Sequence, residues 1–387
     1  MVESAAGPSG KVPAALRALG IPLVLAGLGL LAGQWLAFDI KGDGGWYGLL
    51  SSGLLAIGLY GSARGIARPH SRSDIYRIVV AITVGVVAKA AFIAGVLRLA
   101  FPDHQEYLVL AVAMAQIDPL SVSAMLENRD MSPRAKSLLA AWASFDDPVT
   151  TVLVVILGSM VLENPQSITS GTQSYAVTLL GNLGLLVAAA GLWWLVRDTK
   201  PSDASWGSVS AGSVSARQIA QYGALAAVLA VAVWQFWMLG LALSALFFRP
   251  RLGAWLDRAT GLALVVATLL LGILLARGAD FAVGALLGAA TFTAQIVVAS
   301  LVGLGLSRRD RISLCFSQQN GITAIILALL LEPRLPDAVA IIAPAILVVN
   351  MLHVGTTGVL GQIRTARMPV VKAGPSRADE ATAAHDC

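Results

Sequence analysis

The chain has 387 residues, of which 57% are hydrophobic and only 13% charged, with a mean hydropathy of +0.76. A soluble domain carries about 25% charged residues, so this balance excludes one and places the chain in a lipid bilayer. Two cysteines, Cys315 and Cys387, supply neither a disulfide framework nor a metal cluster. The net charge of +5 lies in small basic groups between apolar runs, a membrane-topology pattern and not a nucleic-acid footprint.

Residues 1–18 read as a cytoplasmic N-terminus without the small-residue cleavage site of a signal peptide. Crossing about 30 Å of hydrocarbon takes about 20 apolar residues. By that measure spans are predicted near 19–38, 47–63, 75–97, 107–126, 137–161, 173–196, 218–233, 236–248, 259–276, 281–306, 312–331 and 338–360. Residues 361–387 form a polar cytoplasmic tail. The expectation is an all-α integral membrane protein of about 12 transmembrane helices, with residues 19–360 as its membrane domain.

The run 218–248 is uncharged and would be about 46 Å long as one helix. Charge asymmetry divides it in two. With two passes there, only Lys41, Arg98, Arg277 and Arg334 fall on one side, and every other Lys and Arg except Lys89 falls on the other. With one pass the bias collapses, so two passes and two cytoplasmic termini are expected. Trp234 and Trp237, in WQFW, fit an interfacial turn between them.

Charged groups at the bilayer centre cost several kcal/mol and persist there only when paired, hydrated or functional. Four lie near the middle of predicted spans: Lys89, Asp118, Asp146 and Asp147. Pro119 follows Asp118, lacks an N–H, and disfavours helical dihedrals at the preceding residue. A helix broken at that depth implies a cavity, because freed backbone groups must be satisfied there. The released carbonyls and the carboxylate are oxygen ligands suited to a hard cation. "CFSQQNGITAI", residues 315–325, repeats the theme with Ser317, Gln318, Gln319, Asn320 and Gly321 inside the eleventh span. The two interrupted helices run in opposite directions, so spans three to five and ten to twelve form an inverted repeat that crosses at the site. Gln295 then occupies the place that mirrors Lys89.

Each feature also has a plainer reading. Asp118 can simply neutralise Lys89, and Asp146 and Asp147 point about 100° apart on a helix, so one of them can be structural. Ser144, Thr150 and Thr151 commonly return a hydroxyl to a backbone carbonyl. Gly284 and Gly288 suit helix packing, and Pro148 a bend.

"QIDPLSVSAML" resembles the TDPVAV stretch of the cation/proton antiporter superfamily, and "SFDDPVTTVLV" its ND or DD ion-binding helix. "SGLLAIGLYGSA" and "GLSRRDRISLCFSQQNGITAIILALLLE" are similar to its early GLLL-type span and its second interrupted helix. The resemblance, over about residues 20–360, implies sodium/proton or potassium/proton exchange. It further implies an elevator movement of core helices (about 75–161 and 281–360) against the remaining scaffold helices, a homodimer and a plasma-membrane location. By position, Asp147 and Asp146 match the ion-binding pair and Asp118 the TDP aspartate, with a monovalent cation at Asp147 and Asp118. Lys89, Ser144, Thr150, Gln295, Gln319 and Asn320 stand as supporting residues, and Pro119 and Gly321 as the breaks. The sequence departs from the family pattern at Ile117, Gln295 and Asn320, where threonine, a basic residue and arginine are usual.

Antiport needs no catalyst and no resident cofactor: protons and Na⁺ or K⁺ compete for the same carboxylate oxygens. The alternative is a sodium-coupled symporter of an organic anion on the same fold, with Gln318, Gln319 and Asn320 as donors to the solute. An intramembrane aspartyl protease lacks its GxGD, and no phosphate-binding loop supports ATP-driven pumping.

Overall fold

The computed structural model describes residues 14–35, 46–64, 72–118, 122, 131–161, 175–197, 216–250, 252 and 254–366. These residues form helices and no strand. The helices are α1 (Ala14–Trp35), α2 (Trp46–Arg64), α3 (Arg72–Val80), α4 (Val86–Ala100), α5 (Tyr107–Met114), α6 (Pro133–Val161) and α7 (Tyr175–Val196). They continue with α8 (Ala216–Gln235), α9 (Met238–Ser244), α10 (Ala254–Leu275), α11 (Phe281–Val302), α12 (Arg308–Cys315), α13 (Ile322–Leu331) and α14 (Ala338–Ala366). Seven segments among the described residues are long and apolar enough to cross a membrane, including Ile75–Ala100, Pro133–Gly158 and Ala338–Gly358. The polar tail from residue 367, and Pro119, lie outside the described residues.

The third predicted span is α3 and α4 joined through a π-helical turn, Ala81–Gly85. Such a turn holds one extra residue and rotates the face of the following helix by about 100° relative to an unbroken one. Lys89 sits one turn beyond it.

The seam expected within 218–248 is present as a reversal at Phe236, whose φ is +59°. The returning stretch is helical only over Met238–Ser244, too short at about 1.5 Å per residue to span a bilayer as a helix. It still follows α7 over much of its length. Trp237 lies against Gly181, Gly240 N donates to Asn182 Oδ1 at 2.8 Å, and Phe248 packs on Trp193 at 5.1 Å. Tyr60 anchors its end by donating to Phe248 O at 2.6 Å.

The inverted repeat takes shape from matching parts. The unit α3–α4 corresponds to α11. The helix α5 with its extension corresponds to α12, α13 and the non-helical link between them. The 29-residue α6 corresponds to the 29-residue α14, and each of these carries an internal proline, Pro148 or Pro344. The amino-terminal cap of α12 ties the halves together. Ser307 caps α12 by accepting from Asp310 N, and Asp310 Oδ1 accepts from Ser132 N at 2.9 Å, the residue before Pro133 of α6.

Outside the repeats, α1 lies along α10. Their backbones meet through glycines: a Cβ at Gly29 would strike Leu269 O, and one at Gly272 would strike Ala26 O. Close approach of this kind replaces the hydrophobic drive that helices lack inside lipid. Gly284 and Gly288 do the same on α11, against Ile341 O and Ala345 O, both at 2.7 Å from an added Cβ.

Leucine at Gly272 should therefore force α1 away from α10 and lower stability by about 1–3 kcal/mol. Alanine at Gly27, where an added Cβ meets nothing within 4 Å, should leave it unchanged. Thermal unfolding of the purified protein in one detergent compares the two; equal midpoints would refute the close contact.

Candidate functional site

The two interrupted helices meet where their backbones leave helical geometry. The first stops at Met114 and runs without helix through Ala115–Asp118, earlier than the break expected at Asp118. The second stops at Cys315 and resumes at Ile322, with Gly321 at φ −138° and ψ −130°. Each link completes the other's hydrogen bonding. Asp118 N donates to Gln319 O at 2.9 Å. Gln318 Nε2 donates to Gln116 O at 2.6 Å, and Asn320 Nδ2 reaches Met114 O and Gln116 O at 3.2 and 3.3 Å. The unpaired backbone that a break exposes to hydrocarbon is in this way satisfied by protein.

The long helices α6 and α14 hold these links from the side. Asp146 Oδ2 accepts from Ile117 N at 3.1 Å. In the mirrored place, Asn350 Oδ1 accepts from Asn320 N at 3.2 Å while Asn350 Nδ2 donates to Asn320 O at 2.9 Å. His353, one turn on, joins Phe316 O through Nδ1 and Gln319 Nε2 through Nε2, both at 2.8 Å.

All four ionisable residues singled out in the sequence gather here, with 4% exposure or less. Lys89 pairs with Asp146, not with Asp118: Lys89 Nζ lies 2.7 Å from Asp146 Oδ2 and over the Trp142 ring, 5.1 Å from its centroid. Asp147, the next residue, looks elsewhere. Its Oδ2 accepts from Thr323 Oγ1 at 2.8 Å, and its Oδ1 is buried and has no hydrogen-bond partner among the described residues. Asp118 stands at the same crossing, its N–H on Gln319 O. Room for the Asp118 carboxyl group comes from Gly321, where an added Cβ would lie 2.6 Å from Asp118 Cγ and Oδ2.

The supporting residues divide by what they touch. Thr150 Oγ1 donates to Asp146 O at 2.8 Å and lies 3.2 Å from Gln116 Oε1, linking α6 to the first break. Ser144 returns its hydroxyl to Ala140 O at 2.7 Å, within its own helix. Gln295 Nε2 donates to Leu314 O and Ser317 Oγ, so it steadies the end of α12 while its structural counterpart Lys89 carries a charge. Gln319 and Asn320 are engaged with His353, Asn350 and the first break.

Sequence reasoning passed over Gln116, Thr323, Asn350 and His353. Asn350 and His353 carried the signal that marked Gln295, a polar side chain inside an apolar span. Thr323 carried none, because isolated threonines in apolar helices are common and usually satisfied locally.

Residues 9–363 match the family described as sodium/hydrogen exchanger, transmembrane. Among solved structures, the chain is similar to the sodium proton antiporter MjNhaP1 from Methanocaldococcus jannaschii at pH 8. The TM-score is 0.62 at 15% identity, and the match covers 91% of this chain and 99% of that one. No curated protein matches the chain.

The Lys89–Asp146 pair yields a stability test. Lys89→Met strands a buried carboxylate and should destabilise the protein by about 3–5 kcal/mol. Adding Asp146→Asn removes that charge while keeping an acceptor for Ile117 N, and should recover most of the loss. A double variant no more stable than Lys89→Met, by thermal unfolding, would show that the two groups do not act as a pair.

Proposed function

Because the chain belongs to the sodium/hydrogen exchanger family, we propose that it exchanges a monovalent cation, Na⁺ ahead of K⁺, for protons, using Asp147 and Asp118 as the shared binding groups. The observation that carries this reading is the pair of buried carboxylates at the helix crossing, with Asp147 Oδ1 unengaged among the described residues. A carboxylate there neutralises itself either by taking a proton or by taking a cation, and the two cannot occupy the same oxygen at once. Coupled to access from alternate sides, that competition is exchange.

Asp146 contributes as part of the site's charge. Held by Lys89 and by Ile117 N, it fixes the first break beside Asp147 and keeps Lys89 at the same depth. Proton exchange at Asp146 requires Lys89 to move or to lose its own proton, so the two titrate as a unit. Alternating access follows the elevator scheme: the core helices, about 75–161 and 281–360, carry the crossing as one body past the scaffold helices. The many hydrogen bonds between the two breaks favour moving the crossing whole. The protein works in the plasma membrane as a homodimer with both termini cytoplasmic, the orientation that the Lys and Arg distribution favours.

A symporter of an organic anion would need the amides of Gln318, Gln319 and Asn320 as donors to its solute. These amides are engaged with Gln116 O, His353 and the first break, which favours exchange.

In proteoliposomes with an imposed pH gradient, addition of Na⁺, Li⁺ or K⁺ should collapse the gradient for the native chain. Asp147→Asn, which keeps size and loses the charge, should abolish the response. Full activity in that variant would remove the central claim, and no response of the native chain to any cation would point to symport.

A further inference from the structure

Among the described residues, every buried threonine other than Thr323 sits within a helix and satisfies itself. Thr150, Thr151, Thr260, Thr268 and Thr291 each donate to the carbonyl four residues back in their own helix. Thr323 is placed so that it does otherwise. It is the second residue of α13, and the residue four back, Gln319, lies in the non-helical link, so no preceding helical turn stands ready to take its hydroxyl. The Thr323 hydroxyl, 1% exposed, instead crosses to the other repeat and donates to Asp147 Oδ2 at 2.8 Å. Two residues before it, Gly321 backs the Asp118 carboxyl group. The start of α13 and the glycine just before it therefore face both carboxylates of the site.

We propose that Thr323 is a cation ligand and specificity-determining residue of this exchanger, its hydroxyl oxygen completing the site made by Asp147 and Asp118. The inference rests on the exchange reading above and adds a residue from the second repeat to it. A hydroxyl has one hydrogen and two lone pairs, so it can serve every state of its neighbour. It donates to ionised Asp147, and it accepts from Asp147 when that carboxyl group is protonated. When a cation replaces the proton, which leaves to water on the open side, one charge enters as one departs. The hydroxyl keeps its hydrogen on the ionised Asp147 and offers a lone pair of its oxygen to the ion. A carboxylate-rich site with one neutral hydroxyl suits a small hard cation. The hydroxyl's reach from a short helical turn sets the size of ion that contacts all three groups.

The test is cation-dependent proton flux in proteoliposomes for the native chain, Thr323→Val and Thr323→Ser. Valine matches the shape of threonine and has no oxygen. It should raise KM for Na⁺ about tenfold, the worth of one hydrogen bond to a charged group, with a smaller change in kcat and a changed order of Na⁺, Li⁺ and K⁺. Serine restores the oxygen and should restore the native KM and order. A valine variant with native KM and native cation order would overturn the assignment, since a purely structural threonine would lower stability or kcat without changing which ion is preferred. Should the valine variant fail to reconstitute, Thr323→Cys puts a weak thiol donor in the same volume, and native KM and order in that variant would overturn the assignment equally. A native chain that exchanges no cation at all would remove the exchange reading itself, and this inference with it.

Discussion

Inside hydrocarbon no water replaces a lost backbone hydrogen bond, and each unsatisfied group costs several kcal/mol. Two helices broken at the same depth are therefore tolerable only if protein groups take up what the breaks release. Here each break serves the other: Asp118 N meets Gln319 O, while Gln116 O receives Gln318 and Asn320. The remaining partners come from the helix that follows each break, Asp146 in α6 and Asn350 with His353 in α14. Much of the architecture follows from this requirement. The two repeats must interlock at their centres, and the side chains on the flanking helices must be polar at matched positions.

The two halves satisfy the same requirement with different chemistry. In the first, a carboxylate braces the broken segment, and a buried lysine offsets its charge at 2.7 Å. In the second, the amide of Asn350 braces the segment and Gln295 stands where the lysine would be, bonded to the end of α12. Backbone amides accept either brace, so geometry alone does not demand a charge. What the charged version adds is a set of titratable groups on one side of the crossing, facing neutral donors on the other. That asymmetry lets Asp147 meet a hydroxyl from α13 while Lys89 pairs with Asp146.

The surrounding helices are joined by packing with little polar content. Glycines let α1 approach α10 and α11 approach α14 closely enough for backbone contact. Helices α7 and α8 turn Leu180, Val187, Trp194, Ile219 and Trp234 outward, as lipid-facing helices do. The stretch after Phe236 returns along α7 with only seven helical residues. Its remaining backbone is acceptable because it is packed between α2, α6 and α7 rather than against lipid.

Read alone, the sequence determined the class of the protein and the short list of charges inside its apolar runs. Apolar runs of near-bilayer length exclude a soluble fold, and a proline or a polar run with glycine inside such a run marks a break, because both effects are local to a few residues. The short list of intramembrane charges followed for the same reason, since each is costly wherever its neighbours lie. Which of those charges meet was a matter for the tertiary structure. Lys89 was equally free, by sequence, to neutralise Asp118 or Asp146, and the choice depends on the rotation that the π-helical turn imposes on α4 and on how α6 crosses it. Adjacent Asp146 and Asp147 took opposite roles because residues one apart on a helix face directions about 100° apart. Thr323 joined the site because it opens α13 after a non-helical link, with no preceding turn to take its hydroxyl, and because the crossing brings Asp147 of the other repeat within 2.8 Å. Contacts of this kind join residues more than a hundred positions apart through a crossing angle and a helix phase, and neither is written in local spacing or composition.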